Sequence, residues 1–146
     1  MLVKDVLRAK QREVVTARRE TTVQQAMDML ISNKISCLPV LDAKNCLIGI
    51  LSDKDIFRRV YDDPKGFQSA TVGELMTEDV LVGIPDDELS YIAGIMTNNR
   101  IRHVPIVEEE QLVGLVSVGD VVKTQMEQVQ IENRHLKQYI GGDYPG

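Results

Sequence analysis

The chain states one phrase twice. Ile35-Ser36-Cys37-Leu38-Pro39-Val40-Leu41-Asp42, followed by Leu47-Ile48-Gly49-Ile50-Leu51-Ser52 and Asp55, returns as Ile101-Arg102-His103-Val104-Pro105-Ile106-Val107-Glu108, followed by Leu112-Val113-Gly114-Leu115-Val116-Ser117 and Asp120. An internal repeat constrains the fold more than any single motif, because each copy must be a structural unit that packs against the other. A site built by one copy therefore has a relative built by the second.

Subtraction fixes the register. Pro39 to Pro105, Val14 to Val80 and Asn33 to Asn99 are each 66 positions apart, whereas Gly49 to Gly114, Ser52 to Ser117 and Asp55 to Asp120 are each 65. The second copy has thus lost one residue in the turn between its two strands, where a length change costs little. Near the N-terminus, Val3-Lys4-Asp5-Val6-Leu7 matches Val72-Gly73-Glu74-Leu75-Met76 at a spacing of 69, so the first copy carries three extra residues (69 − 66) near Ala9 to Arg12.

A single copy, about 60 residues long, buries too little apolar surface to be comfortable alone, so the two are expected to share their packing. With 43% apolar and 27% charged residues, the composition is that of an ordinary soluble globular chain. No apolar run approaches the roughly 20 residues that span a bilayer. Lys4, Asp5, Arg8, Lys10 and Arg12 interrupt the N-terminus, which shows no apolar leader core, and a cytoplasmic location without membrane attachment is expected. A net charge of −5, with no Trp, four Tyr and two Phe, argues against nucleic acid as the main partner but permits a small anionic ligand. Cys37 and Cys46 have no counterparts in the second copy and belong to no CxxC or Cys/His cluster, so they read as reduced thiols and no metal is expected.

Within the first copy, Val14 to Thr16 reads as a strand. Thr21 or Thr22 caps a helix carrying Val23, Ala26, Met27, Leu30 and Ile31, which ends at Asn33-Lys34. Cys37 to Leu41 and Cys46 to Leu51 follow as strands, and Ser52 caps a helix through Asp55, Ile56, Phe57 and Val60. The second copy repeats this order with Val80 to Val82, a helix from Leu89 to Met96, strands at Val104 to Val107 and Leu112 to Val116, and a helix begun by Ser117. Tyr61 to Ala70 carries the Pro, Gly and acids of a linker.

This order, with Leu38-Pro39-Val40 and Gly49-Ile50-Leu51-Ser52 plus Asp55 stated twice, resembles a tandem pair of cystathionine-β-synthase (CBS) domains, the stand-alone Bateman module. The resemblance covers residues 3–123 and brings no fused enzyme or transporter. It implies an α/β (α+β) fold of two βαββα CBS units related by pseudo-two-fold symmetry with their sheets packed together. The units would occupy 1–63 and 64–123, followed by a C-terminal helical extension and tail over 124–146. It further implies a ligand or energy sensor that binds an adenine nucleotide (AMP foremost, ADP or ATP) in clefts between the units, and a homodimer forming a disc of four units. The ligand would be regulatory, with no catalytic cofactor, and an unidentified regulated protein would be the downstream partner.

Carried over position by position, one cleft combines Ser52, Asp53, Lys54 and Asp55 with Val82, Arg102 and His103, and the other combines Ser117, Val118, Gly119 and Asp120 with Thr16, Ser36 and Cys37. The residue types suit the task. A carboxylate in the first turn of a helix can accept two hydrogen bonds from vicinal ribose hydroxyls, and an N-cap serine presents a hydroxyl and free N–H groups beside it. The competing reading, in which both aspartates only complement helix dipoles and both serines only cap, is weakened by the repetition. Arg102 can grip a phosphate bidentately and His103 adds a donor, whereas Ser36 and Cys37 bring no cation, so the cleft with Asp55 and Arg102 is expected to hold a phosphorylated ligand more tightly. Arg18 and Arg19 read as solvated.

Catalysis lacks a constellation: Ser52 and Asp55 share one helix start, and no nucleophile elbow, Walker loop or GxGxxG is present. The competing functions are a structural or scaffolding homodimer with no physiological ligand and a sensor of NAD(H) or S-adenosylmethionine. Beyond Asp120, the positions Val122, Met126, Val129, Asn133, Leu136 and Ile140 form a heptad seam closed by Gly141-Gly142, with Glu132 and Lys137 at flanking positions. That seam predicts either a parallel coiled-coil pair or an amphipathic helix laid on its own or a neighbouring chain, the latter favoured by Ile131 and Tyr139.

Overall fold

The computed structural model describes the backbone of residues 1–139 and side chains as far as residue 136. Ile140 and Gly141-Gly142, the expected end of the seam, and the side chains of Lys137 and Tyr139 lie outside the described residues. The elements run α1 (Val3–Lys10), β1 (Ala17–Arg18), α2 (Val23–Asn33), β2 (Cys37–Leu41), β3 (Leu47–Ser52), α3 (Asp53–Asp62), a 3-10 turn (Phe67–Ser69), α4 (Val72–Leu75), α5 (Leu89–Asn99), β4 (His103–Glu108), β5 (Gln111–Ser117) and α6 (Val118–Tyr139). The fold is mixed α+β with two small sheets and a C-terminal helix.

In the first copy β1 runs parallel to β2, and β2 pairs antiparallel with β3 in the register Pro39 to Ile50. The second copy matches this in β4 and β5, with Pro105 opposite Leu115. The first strand is where sequence and structure part. Val14 to Thr16 is not in the ladder, which opens at Ala17 against Val40, and in the second copy a single parallel bridge from Gly83 to Ile106 replaces the expected strand at Val80 to Val82. Burial decides this: Ala17 is 3% exposed and fits against the fully buried Val40, so pairing begins where the chain meets the core and not where β-branched residues cluster.

Local signals set the helix boundaries. Thr22 accepts from the Gln25 N–H while Gln25 returns a bond to the Thr22 N–H, a capping box that opens α2. Lys34 and Arg100, 66 positions apart, both end their helices in the left-handed conformation, at φ 55° and φ 54°.

The two cores exchange arms. Val3 and Val6 of α1 are buried with Leu89, Ile92, Met96, Val104, Ile106 and Val116 of the second copy. Ala70, Val72 and Met76 are buried with Val23, Ala26, Leu38, Val40 and Leu51 of the first. Matching backbone bonds hold each arm: the Val3 N–H donates to the Asp87 carbonyl at 2.9 Å and the Val72 N–H to the Thr21 carbonyl at 2.7 Å. This exchange explains the repeated glycines. A Cβ on Gly49 would lie 2.6 Å from Met76 Sδ and 3.0 Å from the Thr77 carbonyl oxygen, and one on Gly114 would lie 2.6 Å from the Leu7 methyls, because each arm crosses its strand at the glycine.

Candidate functional site

Ser52 ends β3 and caps α3, and that junction sets up the first cleft. Its backbone N–H and hydroxyl both donate to Asp55 Oδ2, at 2.9 and 3.0 Å, while the Asp55 N–H donates back to Ser52 Oγ at 3.3 Å. Among the described residues no hydrogen bond falls on Asp55 Oδ1, so that oxygen is what the carboxylate can offer a ligand.

A cavity of about 190 Å3 opens in front of this cap. The first copy supplies Cys37, Ile50, Ser52, Lys54 and Asp55 to its walls, and the second supplies Thr77, Asp79, Val80, Leu81, Arg100, Ile101, Arg102 and His103. The structure thus brings Ser52, Lys54, Asp55, Arg102 and His103 together from distant parts of the chain. Val82 is not on the walls: it lies exposed just before the Gly83 bridge to Ile106, and Val80 and Leu81 line the cavity instead. Cys37, expected in the second cleft, lines this one.

Arg102 and Asp53 form an ion pair at 3.0 Å with side chains 51% and 50% exposed. A pair that open contributes at most about 1 kcal/mol, so Arg102 is free to trade Asp53 for a phosphate. His103 is held below its ordinary pKa, first by burial and then by the positive charges of Arg102 and Lys10, so at neutral pH it is a neutral imidazole. Burial, followed by the charge of Asp53, pushes the Cys37 thiol up to about 12, which leaves it an inert, protonated wall residue.

At the junction of β5 and α6, the Ser117 N–H donates to Asp120 Oδ2 at 2.8 Å and the Asp120 N–H returns to Ser117 Oγ at 3.2 Å. Val118 and Gly119 follow Ser117 in the first turn. The surroundings differ from the first cleft. Ser36 Oγ sits 3.5 Å from His103 Nε2, at the boundary between the copies, and Thr16 is half-buried just before β1. A small cavity of about 110 Å3 nearby is lined by Leu7, Lys10, Arg12, Glu13, Val14, Val113, Gly114 and Leu115, and includes none of the residues expected in the second cleft, neither Ser117, Val118, Gly119 and Asp120 nor Thr16, Ser36 and Cys37. Arg18 is engaged with the Asp42 carbonyl and Asn45, and Arg19 with Glu78.

Sequence reasoning missed Asp79, Arg100 and the hydrophobic wall of Ile50, Val80 and Leu81. Asp79 and Val80 match Glu13 and Val14 at the repeat spacing, but only the fold shows that the segment before the first strand crosses the partner copy's cap. Among the described residues no group of three or more His, Cys, Asp or Glu is placed to hold a metal, and no helix is long and apolar enough to cross a membrane.

Comparison with known proteins decides the family. The CBS domain model matches residues 3–62 and again 72–127. The chain belongs to the CBS domain family. This CBS pair is 27% identical over 150 residues to the mitochondrial CBS domain-containing protein CBSX3 of Arabidopsis thaliana, covering 97% of this chain and 73% of that one. Two other curated relatives are much longer, with the chain spanning 39% of one and 22% of the other. Among solved structures, it superposes on a CBS-domain containing protein from Agrobacterium tumefaciens with a TM-score of 0.81 at 33% identity, covering 86% of this chain and 99% of that one. It also superposes on the CBS domain pair of protein MJ0100, solved with 5-methylthioadenosine and S-adenosyl-L-methionine, with a TM-score of 0.78 at 27% identity, covering 88% and 98%.

Proposed function

We infer that this CBS pair is a non-enzymatic regulatory module that binds an adenine nucleotide, AMP foremost, in the cleft between its two copies. One observation carries the reading: Asp55 and Ser52 from one copy and Arg102 and His103 from the other face a single cavity. The Asp55 carboxylate accepts the ribose hydroxyls, the apolar wall of Ile50, Val80 and Leu81 takes the base, and Arg102 leaves Asp53 to grip the phosphate. The adenosyl ligands of the MJ0100 pair share the adenine and ribose of this ligand, which supports the choice of chemistry.

Binding across two copies ties ligand occupancy to their mutual arrangement, which is how such a module reports to a regulated protein. Calorimetry with AMP, ADP, ATP, NADH and S-adenosylmethionine tests the reading. The expected result is AMP binding strongest; no heat with any of them near a millimolar overturns it.

A homodimer accompanies the function. Val121 and Thr124 on the first turns of α6 are buried against the second copy, whereas Val122, Met126, Val129 and Leu136 of the seam are 47–58% exposed and face away from their own chain. Ile31, Phe57 and Tyr61 add a second apolar face on α2 and α3, suited to the flat disc. Truncation after Thr124 is expected to weaken the dimer in sedimentation; a full-length chain that sediments as a monomer at micromolar concentration overturns this part.

A further inference from the structure

The outer part of α6 stands clear of its own chain. Val121 and Thr124 are buried, but every residue from Gln125 to Leu136 is exposed, which is about three turns of helix without cover. A stretch this short is marginal alone in water, so its apolar positions call for a partner. They form one stripe: Val122, Met126, Val129 and Leu136 fall at positions d, a, d and d of the heptad, with Asn133 at the remaining a. Ile131, at f, is 51% exposed, so the helix is not laid along its own body.

Where α6 does meet its own body, it uses the other side. Val121, Thr124 and Gln128 lie with Leu89 and Ala93 of α5 around one small cavity, and they hold positions c, f and c, roughly opposite the a and d stripe. Two copies can therefore join along the stripe with their bodies on the outer sides. The stripe also extends a face that the first copy leaves bare, since the exposed Phe57 and Tyr61 of α3 stand 65 positions before Val122 and Met126.

The polar core position and the flanking charges choose the direction. In a parallel pair Asn133 meets the partner's Asn133, and Glu132 at g is set against the partner's Lys137 at e, twice by symmetry. In an antiparallel pair Asn133 falls opposite Val129, which leaves its amide unpaired among apolar side chains. Lys123 and Lys137, both at e, then flank each other, like against like.

We propose that α6 docks on α6 of a second copy as a parallel two-stranded coiled coil, with Val122, Met126, Val129, Asn133 and Leu136 in its seam, which sets second copy beside second copy in the dimer. Asn133 fixes the register and Glu132 fixes the direction. This rests on the homodimer reading above and names the surface and orientation that make the dimer.

Disulfide trapping on the full chain provides the test, with mass spectrometry to identify the bond. L136C is expected to close a disulfide between two chains, because parallel pairing places Leu136 beside the partner's Leu136 within reach of a bridge. In an antiparallel pair Leu136 lies opposite Met126, so a mixture of M126C and L136C chains would give the mixed disulfide instead. That mixed bond, or no bond at Leu136 in a chain that sediments as a dimer, overturns the proposal while the homodimer stands. A wild type that sediments as a monomer overturns the homodimer reading and this proposal with it. Charge reversal checks the direction without cysteines. E132K and K137E should each weaken the dimer about five-fold in sedimentation, and an equimolar mixture of the two should restore it, since each chain then supplies the charge that the other lacks. Dimer affinity unchanged in both variants overturns the parallel pairing. Met126, Glu132 and Leu136 are exposed in the single chain, so these substitutions spare its fold.

Discussion

The two copies of the CBS unit share their antiparallel strands, caps and glycines, yet the charges around their aspartates differ. In one, Asp55 is tied, among the described residues, only to its own cap and the cation beside it is half in solvent; in the other, Asp120 is paired with a lysine from the chain's own arm. A repeat preserves what packing demands and varies where packing is indifferent. The cap geometry must survive because it ends a strand and starts a helix, whereas the length of the arm's last turn is open to change.

Four pairwise experiments can break or sharpen that contrast. The largest effect belongs to the aspartates: D55A should weaken AMP binding by about 30-fold or more, the loss of hydrogen bonds to a charged acceptor, while D120A should change it by less than about two-fold. Equal losses, measured by calorimetry, would erase the distinction. The glycines come next. G49A forces a Cβ against the Thr77 backbone and should cost about 1–3 kcal/mol in chemical denaturation, whereas G114A meets only the flexible end of Leu7 and should cost under about 1 kcal/mol.

Smaller is the phosphate contact: R102A should lower AMP affinity about ten-fold and leave adenosine nearly unchanged, while S36A should alter neither. The smallest effect concerns His103 and Cys37, which hold matching positions. Because His103 titrates below 6.5 in the folded chain, the unfolded chain takes up the proton first as pH falls. Stability present above that ordinary value is lost as pH falls toward the folded value, so H103Q should flatten the decline in melting temperature between pH 7 and pH 5. C37A should leave that decline intact, since its thiol titrates near 12.

Much of this fold was legible in the residues. The Ser52 and Ser117 caps, the α2 start at Thr22 and the strands around Pro39 and Pro105 are local, and their signals survive tertiary packing. The convergence of Asp55 with Arg102 followed from the family likeness and was not derivable from spacing. The first strands escape the sequence because Val15 packs against the core without pairing, and two-residue strands carry no period. Cys37 was assigned to the wrong cleft because the register of β2 against β3, not the order of residues, decides which cavity its thiol faces. Lys10 gave no signal at all: one lysine among several in a basic segment shows its role only when a carboxylate from 110 positions away arrives beside it.

The crossed arms make the molecule a closed circuit. Because α1 completes the core built by the second copy, and residues 70–76 complete the core built by the first, neither half of the sequence is a body in its own right. A protease nick between residues 63 and 70 would leave two fragments each holding part of both cores, bound to one another by packing and by the backbone hydrogen bonds of the arms. The module would then unfold as one cooperative whole, and a disturbance of its first ten residues would bear directly on Asp120 through Lys10.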